Sequence, residues 1–447
     1  MSDNNQGKPL VVLAFSGGLD TSFCVPYLIE KGYAVHTVFV NTGGMDEAEQ
    51  DAIRERALAL GAVGHDAVDA GSALWSSFVI PFVQGGARYQ NRYPLLCSDR
   101  YVIVEAMVAK AHQLGAAAVA HGCTAMGNDQ FRFDQSVRCL TDLPILAPIR
   151  DIQAITKTPR KYEMEDLAKR GFEVDASAKR YTINENVLGV TVSGSEIDEL
   201  GAPDDASRKL TRPRAEWPAE PLRVAIAFEK GVPVAIDGEP ITDGKAALAS
   251  LNDAFGAYGV GRGIYTGDTI VGLKGRIVYE CPGIEALLLA HKALEELTVT
   301  KHQNDFKAVA ATKWTELVFG GLFFEPLRAD LEALISSTQR NVSGTVVVET
   351  SGGAALAVSV ETSNALMDDA NVYAQSASWS AQDAEGFIKI AGNASALGAS
   401  VLKKGTGAGS ETVDIAPTEQ ELRDAEETEA LLRSELTHAE AEDLVES

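Results

Sequence analysis

The sequence predicts an α/β fold: a doubly wound parallel sheet, then an α+β domain, then a helical, acidic tail. Three observations predict it. Short apolar runs alternate with segments of helical periodicity through the first third of the chain. The texture changes at about Gly171–Tyr181, where a polar, Pro-containing stretch gives way to strand-like runs. From about Ser410 the sequence becomes rich in Glu, Ala and Leu. The boundaries this implies are 1–175, 176–400 and 401–447.

Each element has its own signal. Leu10–Phe15 is an apolar run that breaks into Ser-Gly-Gly, so it predicts a buried strand. Thr21–Lys31 follows at helical spacing, and "AVHTVFV" is the next strand, ending near Val40. "DEAEQDAIRERALALG" predicts a helix closed by Gly61. "SDRYVIVEAMVAKAHQLG" predicts another, with Ser98 as its cap. "AAAVAHG" is a short buried strand. Such an alternation requires right-handed crossovers and brings the carboxyl ends of the strands to one edge. Beyond the change of texture, "LRVAIAFEKG" and "VPVAIDG" predict strands and "DGKAALASLNDAFGAYG" a helix. "SGTVVVETSGGAALAVSVETS" predicts a hairpin turning at Gly-Gly. Thr418–Val445 predicts a polar helix or a disordered tail.

Composition narrows the class. The 447 residues are 45% hydrophobic, enough for more than one core. No apolar run approaches the roughly 20 residues of a membrane helix, and none resembles a secretory signal, so a cytoplasmic protein is expected. The net charge of −24 and the lack of a Lys/Arg run argue against nucleic acid as a partner. Thirteen acidic residues and two arginines fall between Glu411 and Ser447, which reads as a solvated tail. Five dispersed cysteines and seven histidines without ligand spacing point to reduced thiols and no zinc site.

The turn after the first strand carries chemistry. In "AFSGGLDTS", Gly17 and Gly18 lack Cβ atoms, so positive φ and close backbone approach are open to them. The following helix offers unpaired N–H groups and its positive dipole end to an anion. Ser16, Thr21 and Ser22 add hydroxyls, whereas Asp20 would repel a phosphate unless Mg²⁺ bridged the two. The Gly-Lys-Ser/Thr of the P-loop and the glycine spacing of dinucleotide folds are both missing. The stretch "SGGLDTS" resembles the PP-loop of the N-type ATP pyrophosphatases, which cleave ATP between the α- and β-phosphates. That resemblance implies a nucleotide-binding first domain in which Ser16–Ser22 grips the leaving pyrophosphate.

A second constellation, "HGCTAMGNDQFRFD", follows the strand "AAAVA" and belongs beside the first on the sheet edge. Thr124, Asn128, Asp129 and Arg132 form a set able to grip a zwitterion. The guanidinium takes a carboxylate, the carboxylate an ammonium, and the neutral groups fix orientation. A helix cap at Asn128 or Asp129 is the simpler reading of the same residues. Together the two stretches resemble the argininosuccinate synthase family. "YPLLCSDRYVI", "YTINENVLGVTVSGSEID" and "GLKGRIVYECPG" match it in order, and the resemblance runs from about Val11 to about Ile390.

That resemblance implies an enzyme that joins citrulline to aspartate with ATP and Mg²⁺, releasing AMP and pyrophosphate through a citrullyl-adenylate. It implies ATP contacts at Ala14, Phe15, Ser16, Gly17, Gly18, Leu19, Asp20, Thr21, Ser22, Val40 and Gly122. It implies citrulline contacts at Tyr93, Ser98, Asn128, Arg132, Thr182, Thr191 and Tyr279, and aspartate contacts at Thr124, Asn128 and Asp129. Asp20, which would meet Mg²⁺, and Asp129 are the residues it points to for catalysis. It implies a homotetramer whose second domain, 176–400, serves substrate binding and assembly. The chain departs from the family at Ala125-Met126, where Gly-Lys is usual, and at Gly267, beside Asp268, where a citrulline-binding glutamate aligns. Arg100 could anchor a carboxylate or make a surface ion pair, and Lys274 and Arg276 could face phosphates or serve the sheet edge. Another PP-loop adenylating enzyme, or a non-catalytic nucleotide- or amino-acid-binding relative, remains the alternative.

Overall fold

Strand β1 (Leu10–Ala14) has Val11, Val12 and Leu13 with no exposed surface, as a strand covered on both faces requires. It is the middle strand of a five-stranded, wholly parallel sheet of order β3-β2-β1-β4-β5. Its neighbours are β2 (Ala34–Asn41), β3 (Gly64–Asp69), β4 (Ala118–Ala120) and β5 (Ile145–Leu146). The chain starts in the middle and winds outwards in both directions, so loops after β1 and β4 meet at a switch point on the carboxyl edge. The computed structural model describes residues 7–43, 45–172, 180–368, 370–373 and 375–406, with Arg423 and Thr428.

Helices between these strands end where local chemistry ends them. Helix α1 (Leu19–Glu30) begins two residues before the expected Thr21, which puts Asp20 in its first turn. Helix α2 (Glu47–Ala59) opens on a reciprocal capping box between Asp46 and Glu49 and is followed by Gly61 at φ +102°. Short α3 (Gly71–Leu74), a π-turn over Trp75–Val79 and α4 (Ile80–Gly85) lead into α5 (Asp99–Leu114). Ser98 stands at the start of α5, yet its side chain does not cap it. The hydroxyl donates backwards to the Leu95 carbonyl at 2.8 Å. Helices α6 (Asp129–Leu140), α7 (Pro148–Ile155) and α8 (Pro159–Lys169) complete this part. The expected boundary at 175/176 lies outside the described residues.

Two antiparallel sheets follow. One has the order β11-β12-β7-β6, built from β6 (Thr182–Asn186), β7 (Gly189–Ser193), β11 (Arg262–Asp268) and β12 (Lys274–Glu280). The other has the order β10-β9-β8-β13-β14, built from β8 (Leu222–Glu229), β9 (Val232–Ile236), β10 (Glu239–Pro240), β13 (Gly344–Gly352) and β14 (Ala354–Glu361). As expected, β13 and β14 turn at Gly352 and Gly353, at φ +121° and +77°. Helices α9 (Gly244–Gly256), α10 (Pro282–Thr298), α11 (Lys301–Phe319) and α12 (Pro326–Thr338) accompany them. Phe78, Phe82 and Trp314 stack with centroids 5.2–6.2 Å apart and join α11 to the segment before α5.

The chain divides into two compact units, Met1–Leu366 and Met367–Ser447. Helix α13 (Ala381–Thr406) belongs to the second, and its Phe387, Ile388, Ile390, Leu397 and Val401 are more than half exposed. Except for Arg423 and Thr428, the expected tail helix Thr418–Val445 lies outside the described residues. No described helix is long and apolar enough to cross a membrane. All five cysteines are free thiols, with Cys24, Cys97 and Cys281 buried.

Candidate active site

The turn Ser16–Gly18 owes its shape to Gly17, at φ +74°, where an added Cβ would lie 3.1 Å from Ile53. Gly18 is extended at φ −71° and faces open space apart from the Ser16 hydroxyl, so only the first glycine needs positive φ. Thr21 Oγ1 lies 3.2 Å from Ser16 Oγ and accepts from the Ser16 N–H at 3.3 Å, which folds the turn over the start of α1. Ser22 is fully buried. Its hydroxyl donates to the Gly17 carbonyl and accepts from Arg56 Nε at 2.7 Å. Ser22 therefore supports the turn from behind.

Two cavities open on this edge. The first, about 280 Å³, lies over β1, β2 and β4 and is walled by Ala14, Phe15, Ser16, Val40 and Gly122 of the residues expected for ATP. The second, about 500 Å³, is walled by Asp20, Tyr93, Thr124, Asn128, Asp129, Arg132, Thr182 and Thr191. Five residues belong to both walls: Arg100, Gly122, Cys123, Asp129 and Asn184. Gly17, Gly18, Leu19, Thr21 and Ser22 lie outside the first wall. Ser98 and Tyr279 lie outside both. Each is buried with its hydroxyl spent on a backbone carbonyl, of Leu95 for Ser98 and of Arg92 for Tyr279. Lys274 pairs with Asp268, and Arg276 donates to the carbonyls of Ile197 and Gly201, so neither faces a cavity.

The loop after β4 is fixed at its base. His121 Nε2 lies 2.8 Å from Asp134 Oδ1 while Nδ1 lies 3.1 Å from the Cys123 backbone nitrogen, so the ring ties the start of the loop to α6. Further on, Gln153 holds the Ala125 N–H and Gln130 holds the Ala125 carbonyl. Met126, where the resemblance leads one to expect lysine, is 70% exposed. Asn128 does not cap α6 with its side chain. Its Oδ1 accepts the Ile270 N–H at 2.8 Å and ties the loop to the β11–β12 turn.

Asp129 is the electrostatic centre. Its Oδ1 accepts from Arg132 Nη1 at 2.8 Å and its Oδ2 from Arg100 Nε at 3.2 Å. Burial pushes this carboxyl up, but the two guanidiniums outweigh burial and hold it at about 2. Arg100 is not the surface pair that its exposed-looking sequence context allows. Its side chain is 14% exposed and held by Asp99, Asp129 and Asn184. On the opposite wall, Asp268 accepts from Gln90 and Lys274. Gly267 is crowded, because a Cβ there would lie 2.4 Å from the Tyr265 hydroxyl and would force that side chain to shift.

Asp20 faces the second cavity with the buried Glu163 carboxyl beside it, which burial and Asp20 push up to about 8. Among the described residues no three His, Cys, Asp or Glu side chains converge as a metal cluster. A single carboxylate suits an ion that arrives on phosphates rather than one caged by protein.

Some wall residues were not anticipated. Asn184 follows Thr182 at strand period two on the same face, so the alternation in "YTINEN" held that signal. Tyr265 and Phe319 had none that local sequence could reveal.

Family models match both halves of the chain: an arginosuccinate synthase N-terminal HUP domain over residues 10–171, and an arginosuccinate synthase C-terminal domain over 181–397. The argininosuccinate synthase of Xylella fastidiosa is 55% identical over 391 residues, covering 88% of this chain and 97% of its own. That of Xanthomonas campestris pv. campestris is 54% identical, covering 88% and 98%. The protein of that name from Methanocaldococcus jannaschii is 39% identical over 361 residues, 80% of this chain and 89% of its own. A solved 4-thiouridine synthetase–RNA complex with bound ATP is 16% identical over 36% of this chain and 40% of its own, with a TM-score of 0.27, too little to argue from. With both halves matched, and relatives of that identity covered almost end to end, the chain belongs to the argininosuccinate synthase family.

Proposed function

We propose that this chain ligates citrulline to aspartate at the expense of ATP, through a citrullyl-adenylate, with release of AMP and pyrophosphate. The observation that carries the reading is the wall shared by the two cavities, which would let a group held in one react with a group held in the other. Family membership supplies the substrates. The nucleotide is assigned to the first cavity, with residues 1–175 as its domain and the Ser16–Ser22 turn as the pyrophosphate grip. Citrulline is assigned to the side of Tyr93, Asn128, Arg132, Thr182 and Thr191, with Ser98 and Tyr279 supporting from behind. Aspartate is assigned to Thr124, Asn128 and Asp129.

The ureido oxygen is a poor leaving group until it bears AMP, after which the aspartate amine can displace it. No protein nucleophile is required. The chain orients three reactants and supplies fixed charge where negative charge develops. Asp20 would hold the Mg²⁺ that accompanies ATP, and that ion would neutralise charge on the departing pyrophosphate. We assign the protein to the cytoplasm and to a homotetramer built through 176–400, without nucleic acid or membrane as a partner.

The test is exchange of labelled pyrophosphate into ATP, with and without citrulline and without aspartate. Exchange that requires citrulline is expected. Exchange that ignores citrulline would favour another adenylating enzyme, and none at all a non-catalytic relative. Either outcome overturns the reading.

A further inference from the structure

We propose that Arg100 binds the α-phosphoryl group of the nucleotide and stabilises it while the citrulline ureido oxygen attacks. The proposal rests on the ligation reading above and adds a residue to it.

Position is the first argument. Arg100 is the second residue of α5, and its guanidinium stands in the wall common to both cavities. In the first cavity it is the sole lysine or arginine among the described wall residues. In the second it shares that character only with Arg132. Arg132 is otherwise engaged, because Nε and Nη2 donate to the Phe319 carbonyl and Nη1 to Asp129. The two loops that meet at the junction bring no cation of their own, since neither Ser16–Ser22 nor Gly122–Gln130 contains lysine or arginine. A phosphate crossing from one cavity to the other meets one available guanidinium.

The second argument is donor geometry. Arg100 has five N–H groups in a rigid fork. Nη1 is spent on both oxygens of Asp99, at 2.6 and 2.8 Å, and Nε on Asp129 at 3.2 Å. Nη2 makes one bond, to Asn184 Oδ1 at 3.1 Å, and carries two hydrogens. One charge-bearing N–H is thus left at the junction while Asp99, Asp129 and Asn184 hold the fork still. A donor fixed before the reaction stabilises developing charge without reorganising.

In the step concerned, the ureido oxygen forms a bond to the α-phosphorus as the α–β bridging P–O bond breaks. The electron pair of that bond leaves on pyrophosphate. The non-bridging oxygens carry negative charge throughout, and Arg100 faces them. No proton moves to or from Arg100, which acts by charge and hydrogen bonding alone.

The test compares Arg100→Lys, which keeps the charge and loses the fork, with a paired Asp99→Asn/Arg100→Gln variant, which removes one positive and one negative charge together. Four quantities are read on each folded variant: citrulline-dependent pyrophosphate exchange, the Kd of ATP, the Kd of citrulline, and the KM of aspartate in the complete reaction. Loss of one such donor should slow exchange by about 100-fold or more. The Kd of citrulline should stay within about threefold of wild type, and the Kd of ATP should rise by less than exchange falls, because the α-phosphoryl oxygens are charged before the reaction as well as during it. Exchange within threefold of wild type in both variants would overturn the proposal. A defect confined to the KM of aspartate would overturn it too, by assigning Arg100 to the second substrate. Failure of both variants to fold would leave Arg100 a structural residue and also overturn it. Absence of citrulline-dependent exchange in the unaltered protein would instead defeat the ligation reading, which separates the two failures.

Discussion

The backbone carbonyl of Phe319 accepts both Nε and Nη2 of Arg132, at 3.3 and 3.0 Å, across 187 residues of chain. The Phe319 ring also lies under the guanidinium, 5.1 Å from its carbon. Arg132 thus fastens the end of α11 to the start of α6, and with it the wall of the second cavity. Lysine cannot reproduce a fork that serves a carbonyl and a carboxylate together. Arg132→Lys should leave a buried acceptor under-satisfied and cost about 1–3 kcal/mol in urea unfolding. The KM for citrulline should rise as well. A variant as stable as wild type would show that the Phe319 contact is not structural.

The two glycines of the turn should behave differently. Gly17 sits at φ +74°, where a side chain costs about 1–2 kcal/mol, and Ile53 crowds the site. Gly17→Ala should therefore lower the melting temperature. Gly18 is extended with room around it, so Gly18→Val should fold normally. Its branched side chain would stand where backbone N–H groups have to approach a phosphate, and pyrophosphate release should be lost. Normal turnover in folded Gly18→Val would remove the phosphate grip from this turn.

The parallel sheet was legible because covered strands and intervening helices leave an alternation in the sequence that few other folds produce. The Gly17 turn was legible for the same local reason. Ser98 misled, because a serine before a helical run looks like a cap whether its hydroxyl points forward or, as here, back to Leu95. Asn128 misled similarly by satisfying Ile270 rather than its own helix. Arg100 was ambiguous, since burial is a property of what packs around a residue. Its partner Asn184 is 84 residues away. Phe319 was invisible, as nothing near it in the chain announces a contact with Arg132.

Gly267 and Asp268 bear on the proposed citrulline site, where the family resemblance sets a glutamate that this chain lacks. A Cβ at 267 would lie 2.4 Å from the Tyr265 hydroxyl and 2.6 Å from Gln90 Oε1. Gly267→Glu should therefore cost about 1–3 kcal/mol by overpacking and should weaken citrulline binding. Asp268→Asn, at a carboxylate 45% exposed, should leave stability unchanged. If Asp268 takes over the missing charge, its loss should raise the KM for citrulline roughly tenfold, the effect of losing about 1.4 kcal/mol. Tighter citrulline binding by Gly267→Glu would overturn this account.

Asp129 should stay ionised wherever the enzyme is assayed. Its carboxyl is held at about 2, against an ordinary value near 3.9. A depressed carboxyl stabilises the fold above its unfolded value, and that contribution is lost as pH falls from about 4 through 2. Aspartate binding should accordingly show no inflection from Asp129 between pH 5 and 9. Asp129→Asn should lower aspartate affinity roughly 10- to 200-fold, the cost of a charge-assisted bond of about 1.5–3 kcal/mol. Citrulline-dependent pyrophosphate exchange, measured without aspartate, should fall by less than aspartate affinity does, because the amide oxygen of Asn still accepts from one guanidinium while Asp99 and Asn184 keep hold of Arg100. Loss of citrulline binding with aspartate binding intact would reassign the loop.

A buried chain of polar groups gives the fold its own acid sensitivity. His291 is 1% exposed, and its Nε2 donates to Gln339 Oε1 at 2.7 Å. Gln339 donates in turn to Glu295 Oε1, which Lys307 pairs at 2.6 Å. Lys307 also donates to the carbonyls of Gln84 and Gly85 at the end of α4. Burial lowers the imidazole to about 4. The Glu295 carboxylate opposes that shift, and the Lys307 ammonium adds to it. The unfolded chain takes up this proton near pH 6.5, so between 6.5 and 4 it binds one proton more than the folded chain. Stability must then fall as pH falls through that window, by at most about 1.4 kcal/mol per pH unit and about 3 kcal/mol in all. Above pH 6.5 the group is neutral in both states and contributes no slope. His291→Gln keeps a donor for Gln339 and removes the titration. Urea unfolding of both proteins at intervals from pH 7.5 to 4.5 should give curves that run parallel above pH 6.5 and diverge below it, with wild type the steeper. Parallel curves over the whole range would show that His291 takes up its proton within the folded protein.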